Sequence, residues 1–178
     1  MEYHRKHPRL KEYDYSKAGY YYVTICTQNA LEILSEIIFD SLQYDVGRGL
    51  APALFRTRLT EIGITAFEQL KELENRYPFI SIDRCVIMPN HIHIIIILFD
   101  EDGRAGASPR PTLCDIICTY KSLTTLICNK RDNVKGRKIF QTSFYEHIIR
   151  NENAYNDICR YIYENPMKWY HEHNTQEN

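Results

Sequence analysis

Hydrophobic and polar positions change period along the chain, and each change predicts an element. Residues 19–27, Gly-Tyr-Tyr-Tyr-Val-Thr-Ile-Cys-Thr, are dense in β-branched and aromatic side chains and follow turn-forming residues 16–19, which predicts a central strand. From 29 to 53 the pattern is mixed: 34–39 predicts a short strand, and the Gly- and Pro-containing stretch 46–52 predicts a loop. Thr60 then caps a helix in which Ile62, Ile64, Phe67, Leu70 and Leu73 recur near helical spacing until Pro78 stops it. Residues 80–88 and 91–99 read as two strands joined so closely, through Pro89-Asn90, that they form a hairpin. A second helix over 112–130 carries an apolar stripe of Leu113, Ile116, Ile117, Tyr120, Leu123, Thr124 and Ile127. A short strand is expected at 139–141. A last helix starts near Asn151 or Glu152, with Tyr155, Ile158, Cys159 and Ile162 facing the core, and Pro166 ends it at Asn165.

The order strand, helix, strand, strand, helix, strand, helix predicts an α+β fold: a ferredoxin-like antiparallel sheet with helices packed on one face, plus a C-terminal helix. No repeat or linker divides the chain, so 1–178 reads as a single domain, with a basic arm at 1–12 and flexible loops at 43–55 and 100–111.

Composition agrees, since 178 residues that are 44% hydrophobic and 25% charged can bury a core without metal or disulfide staples. Six scattered cysteines with no CxxC pair and no signal peptide predict a reduced, cytoplasmic protein. Cys114 and Cys118 lie one helical turn apart, but no second pair follows at zinc-site spacing, so they read as packed thiols. The longest apolar run, 92–99, falls far short of the ~20 residues that cross a bilayer, so no membrane partner is expected. A net charge of -1 argues against a nucleic-acid partner until it is divided along the chain. Residues 104–138 hold eight basic side chains against Asp115 and Asp132, a net of +6 that leaves -7 elsewhere.

The chemistry-bearing stretch is Met88-Pro-Asn-His-Ile-His-Ile-Ile-Ile-Ile97. Alternation in a strand puts His91 and His93 on one face, about 7 Å apart at their roots, with Ile92, Ile94 and Ile96 on the other. Two such imidazoles can converge on a divalent metal, although an isolated HxH also suits a half-exposed strand end. On the last helix Tyr161 and Asn165 are four residues apart and therefore stack on one face. A tyrosine beside an apolar stripe is ordinarily a core-edge residue, and becomes a candidate nucleophile if it faces a metal. Tyr163, its rival, is turned away from Asn165 by ~200°.

Together these stretches resemble one family. Val86-Ile-Met-Pro-Asn-His-Ile-His93 is similar to the histidine-hydrophobic-histidine (HUH) signature of single-tyrosine transposases. Phe144-Tyr-Glu-His-Ile-Ile-Arg150 followed by Tyr161-Ile-Tyr-Glu-Asn-Pro166 resembles the REP-associated branch, related to the insertion-sequence-200 transposases. Residues 13–27 resemble that family's first strand, and Tyr120-Lys-Ser122 its second-helix motif. The resemblance implies an HUH fold whose C-terminal helix is catalytic. It also implies a metal site of His91, His93 and Asn165 holding Mg²⁺ or Mn²⁺, and Tyr161 as nucleophile. Its hydroxyl would attack a phosphate of single-stranded, hairpin-forming DNA, leaving a 5′-phosphotyrosine and a free 3′-hydroxyl.

A phenol, ordinarily deprotonating near ~10, needs the metal or a base to attack at neutral pH, and the sequence names no base. No GxxxxGK[ST] loop is present, so no nucleotide cofactor is expected. Lys121, Lys130, Arg131, Lys135, Arg137, Lys138 and Arg150 are candidates for the DNA backbone, and Tyr20 to Tyr22, Phe144 and Tyr145 for stacking on bases. Localisation would be cytoplasmic and nucleoid-associated. Relatives act as monomers or as homodimers that exchange the tyrosine, and the sequence leaves both open. Two other functions stay open: a catalytically silent single-stranded nucleic-acid binding protein, and a metal-dependent hydrolase that uses the histidines without Tyr161.

Overall fold

The computed structural model describes residues 13–40, 54–100 and 110–174. The basic arm 1–12 and most of both expected loops lie outside these residues. Among the described residues six strands and three α-helices follow in chain order: β1 (Gly19–Cys26), β2 (Ser35–Asp40), β3 (Leu54–Leu59), α1 (Glu61–Arg76), β4 (Ile80–Ile87), β5 (His91–Leu98), α2 (Leu113–Arg131), β6 (Tyr145–Ile149) and α3 (Glu152–Asn174).

The main sheet has the order β4-β5-β1-β6, antiparallel throughout. Alternation in β1 is complete. Tyr21, Val23 and Ile25 are fully buried, together with Ile92, Ile94, Ile96 and Leu98 of β5, in the core that also takes Leu70 and Leu73 of α1 and Ile116, Ile117 and Tyr120 of α2. The Tyr120 hydroxyl donates to the Ala66 carbonyl and ties the two helices together. The intervening positions of β1 and β5 face the other way, where α3 packs through Ile162 against Ile95 and Ile149. This is the expected α+β arrangement, with α1 and α2 on one face and α3 on the opposite one.

Local chemistry accounts for the helix ends. Thr60 accepts from the Gly63 amide, and Thr112 and Asp115 form a reciprocal capping box. Gly63 is required by close approach, because a β-carbon there would lie 1.9 Å from the Leu34 carbonyl oxygen. That oxygen already accepts from the Thr60 amide and hydroxyl and cannot simply withdraw. Gly63→Ala is therefore expected to lower stability by about 2 kcal/mol or more, as overpacking of a fixed contact does. A urea transition with unchanged midpoint and slope would contradict that account.

Three expectations need correction. The strand expected at 139–141 is a single bridge, Phe140 to Thr27, and the fourth strand of the main sheet is β6. Ile139 and Phe140 are both buried in succession, a packing pattern rather than a pleated one, whereas residues 145–149 owe their strand geometry to pairing with β1. The loop expected at 43–55 ends early, since Leu54 and Phe55 open β3, which pairs with β2 in a separate two-stranded sheet. Finally, α3 does not stop at Asn165 but runs through Pro166 to Asn174.

An internal proline costs about 3 kcal/mol by removing a backbone donor and crowding the preceding turn. Beyond it, Tyr170 packs on Phe39 and Phe55 with ring centroids 5.9 and 5.3 Å away, and His171 lies 5.6 Å from Phe55. At ~0.5–1.5 kcal/mol per aromatic pair, these contacts are of the size needed to hold the helix past its proline.

Candidate active site

His91 opens β5 directly after the turn formed by Met88, Pro89 and Asn90, and that turn is pinned on every side. Its Met88 amide donates to the His91 carbonyl, the Pro89 carbonyl accepts from Leu34, and the Asn90 carbonyl accepts from the amide and hydroxyl of Thr27. The histidines therefore project from a backbone held by β1, β2 and the hairpin itself. Their rings lie 4.5 Å apart on the sheet face that α3 covers.

The ring nitrogens are assigned by their partners. His91 Nδ1 lies 2.6 Å from Asn90 Oδ1, an acceptor, so Nδ1 carries the hydrogen and Nε2 presents a lone pair. His93 Nδ1 sits between the hydroxyls of Tyr22 at 2.7 Å and Thr24 at 2.9 Å. His93 is only 4% exposed, and its Nε2 is buried without a hydrogen-bond partner. A buried, unpartnered imidazole nitrogen is costly as an N–H donor and natural as a metal ligand, its ring oriented by bonds at the other nitrogen. Burial lowers the pKa of both rings, to about 4 for His91 and about 3 for His93, where the neighbouring His91 adds to the effect. Both are neutral, ligand-competent imidazoles at physiological pH.

From α3, Asn165 is 7% exposed and its side chain faces the His91 ring, where it acts against burial and raises that ring's pKa. One turn earlier, the Tyr161 ring stands edge-on to His93 with centroids 5.2 Å apart and is 44% exposed. Lys168 Nζ lies 5.7 Å from the Tyr161 ring centroid and pairs with Glu164. Tyr163 is 75% exposed and points away. An open cleft of about 510 Å³ runs beside Tyr161 and His93, lined also by Tyr22, Thr24, Tyr145 and Asp157. Thus His91, His93, Asn165 and Tyr161, separated by up to 74 positions in the chain, meet within one molecule.

The site fits a divalent ion. Two imidazoles and an amide oxygen form a neutral donor set that leaves the full charge of the metal for an anionic substrate and for water ligands. Among the described residues no three His, Cys, Asp or Glu side chains cluster to hold a metal. Sequence reading missed the orienting residues Asn90, Tyr22 and Thr24, because each acts through a neighbour that only folding supplies. Burial raises the Tyr22 phenol pKa well above its usual value, so this tyrosine stays protonated beside His93.

The basic candidates do not gather as one group. Lys121 is buried with its ammonium on the Thr142 and Ser143 carbonyls. Arg131 and Arg137 both pair with Asp132, which holds that carboxyl down at about 2. Lys130, Lys135 and Lys138 are exposed around the end of α2. The segment following them returns to the site end of β1, where Gln28 donates to Ile139. Arg150 lies beyond β6 at the other end of β1, beside Tyr20. Of the stacking candidates, Tyr21 and Phe144 are core residues, while Tyr145 lines the cleft. All six cysteines are free, and no helix among the described residues is long and apolar enough to cross a membrane.

No family model matches the chain. An uncharacterised protein of Haemophilus influenzae is 30% identical over 93% of this chain and 90% of its own length. The REP-associated tyrosine transposase of Escherichia coli K12 is 28% identical over 64% of this chain and 62% of that protein. A solved structure of a REP-associated tyrosine transposase bound to a REP hairpin shares the fold, with a TM-score of 0.55 and 22% identity over 90% of this chain and 73% of that one. The chain is thus similar in sequence to REP-associated tyrosine transposases and shares the fold of one of them.

Proposed function

We propose that this chain is a transposase acting as a metal-dependent, single-stranded DNA endonuclease and strand transferase. It cuts at hairpin or repeat DNA through a 5′-phosphotyrosine intermediate on Tyr161. The observation that carries this reading is the buried, unpartnered His93 Nε2 beside the exposed Tyr161 ring, with Asn165 on the same helix closing on His91. Relatives that are transposases, one of them solved with a REP hairpin, support DNA as the substrate.

His91, His93 and Asn165 would hold Mg²⁺ or Mn²⁺. When bound, the ion supplies positive charge that orients the scissile phosphate and stabilises its transition state. The chain supplies the rest. Tyr161 presents its hydroxyl from a helix anchored by Ile162, so the nucleophile is positioned before substrate arrives. Its oxygen forms the new bond to phosphorus as the P–O3′ bond breaks. The phenol gives up its proton and the departing O3′ takes one up, so one ester replaces another and no external energy source is required. The retained linkage lets a second 3′-hydroxyl reverse the step at a new end, which is strand transfer.

The test is a covalent adduct between wild-type protein and an oligonucleotide containing a hairpin and single-stranded flanks, with Mg²⁺ or Mn²⁺, and assignment of the modified residue by mass spectrometry. Salt-sensitive binding without adduct under either metal would instead identify a silent binding protein. Exposed Lys130, Lys135 and Lys138 are assigned to the DNA backbone. Each one exchanged for Gln should reduce the dependence of log affinity on log salt by about 0.7, the single-strand value per phosphate contact. Unchanged slopes in all three variants would place the DNA path elsewhere.

A further inference from the structure

Tyr161, Asn165, Trp169 and His173 succeed one another at intervals of four and so form one ridge of α3. The first two carry the proposed chemistry. The last two belong to the stretch beyond Pro166 that the proline was expected to exclude from the helix, and folding brings Trp169 beside His91 with His173 stacked on it. Trp169 lies 5.9 Å from the His91 ring, tilted by 53°. His173 stacks on Trp169 with centroids 4.0 Å apart and planes within 11°. The His173 ring is held there by its Nδ1–H, which donates to the Trp169 carbonyl at 2.9 Å.

This ring pair is not core. Trp169, the largest side chain in the protein, is half-buried yet absent from both hydrophobic clusters, and its indole N–H has no hydrogen-bond partner among the described residues. His173 is exposed on the outside of the stack. Flat aromatic surface with a free donor, next to a site that would hold a phosphate, suits a nucleobase, because stacking tolerates any base.

We propose that the Trp169–His173 pair is a stacking platform for a base of the single-stranded substrate adjoining the phosphate held at His91 and His93. This rests on the reading that single-stranded DNA is the substrate, and adds the element that sets the strand's orientation over Tyr161. It places Trp169 as a positioning residue, with stacking rather than hydrogen-bond readout as its contribution.

Trp169 is the only tryptophan in the chain, so its emission reports on this position alone. The probe is a hairpin oligonucleotide with randomised single-stranded flanks, added to the full chain in the presence of a chelator. Binding is followed separately by the anisotropy of a labelled copy. Saturable quenching of Trp169 emission with the same midpoint as the anisotropy change is expected, and Tyr161→Phe should quench equally because turnover is not involved. Trp169→Ala should weaken binding roughly tenfold, with Trp169→Phe recovering most of it, as loss and restoration of one stacked base would. Should Trp169→Ala prove unfolded by circular dichroism, the quenching of wild type and the affinity of Trp169→Phe decide the matter. DNA binding that leaves Trp169 emission unchanged overturns the platform while leaving the nuclease reading intact. Absence of DNA binding both with the chelator and, for Tyr161→Phe, with Mg²⁺ overturns both.

Discussion

Replacing Tyr161 by Phe is expected to reduce the covalent protein–DNA adduct to background while leaving folding and DNA affinity unchanged. The substitution removes one oxygen and keeps the ring, which makes the contacts that place it: edge-on to His93 at 5.2 Å and to Tyr22 at 6.5 Å, with Lys168 Nζ 5.7 Å from its centroid. In the proposed mechanism this hydroxyl is the group that becomes esterified, so its loss would leave no acceptor for the phosphoryl group. Tyr163→Phe should retain wild-type adduct, since that phenol projects into solvent away from the histidines. Tyr22 is no substitute, because burial holds its phenol protonated. The readout is a mobility shift on a denaturing gel with a 5′-phosphate-traceable oligonucleotide. Adduct at wild-type level from Tyr161→Phe would remove the assignment, and loss confined to Tyr163→Phe would transfer it.

The second large effect belongs to His93. His93→Asn keeps an amide able to meet the hydroxyls of Tyr22 and Thr24 where Nδ1 stands, but removes Nε2 and the titrating ring. Adduct formation should fall by roughly 100-fold or more, the upper range for damage to a metal site's supporting shell being exceeded when a proposed ligand itself is lost. The same variant should change acid stability in the opposite direction. In the folded chain His93 is held at about 3 by burial and by His91, whereas a free imidazole titrates near ~6.5. Above ~6.5 neither state binds the proton. Between there and about 3 the unfolded chain binds one that the folded chain refuses, so wild-type stability drops by up to ~1.4 kcal/mol per pH unit from this group. Below that the folded form is protonated too and the slope vanishes. With a chelator present, urea midpoints of wild type should therefore fall faster than those of His93→Asn as pH descends from 6.5. Parallel curves would show that this ring is not held neutral by burial.

Parts of the fold follow from short-range chemistry and were legible. The alternation in residues 19–27 and 91–98 places Tyr21, Val23, Ile25, Ile92, Ile94 and Ile96 on one face, and every one is fully buried. The helix starts at Thr60 and Thr112 are capping chemistry contained within four residues. Where the pattern misled, a distant partner overrode it. Residues 145–149 carry Glu146 and His147 in the middle of the strand and show no clean hydrophobic alternation, yet they pair along β1. Pro166 disfavours helix locally, yet Phe39 and Phe55, more than a hundred residues earlier, hold Tyr170 and carry the helix onward.

The candidate site divides the same way. Pairing of His91 with His93, and of Tyr161 with Asn165, is set by the two-residue and four-residue repeats of strand and helix, so the sequence by itself determined those two half-sites. It also determined that the chain's basic excess is local, +6 within 104–138. Only the tertiary structure decided that α3 lies across the histidine face, that Tyr22, Thr24 and Asn90 set the ring nitrogens, and that Trp169 and His173 reach the same place. It alone decided that Lys121, Arg131 and Arg137 are occupied within the fold while Lys130, Lys135 and Lys138 stay exposed. The physical reason is range. Periodicity and capping act over a few residues and are written in the local sequence. Burial, ring orientation and the occupancy of a charge depend on groups that meet only when the chain has closed on itself.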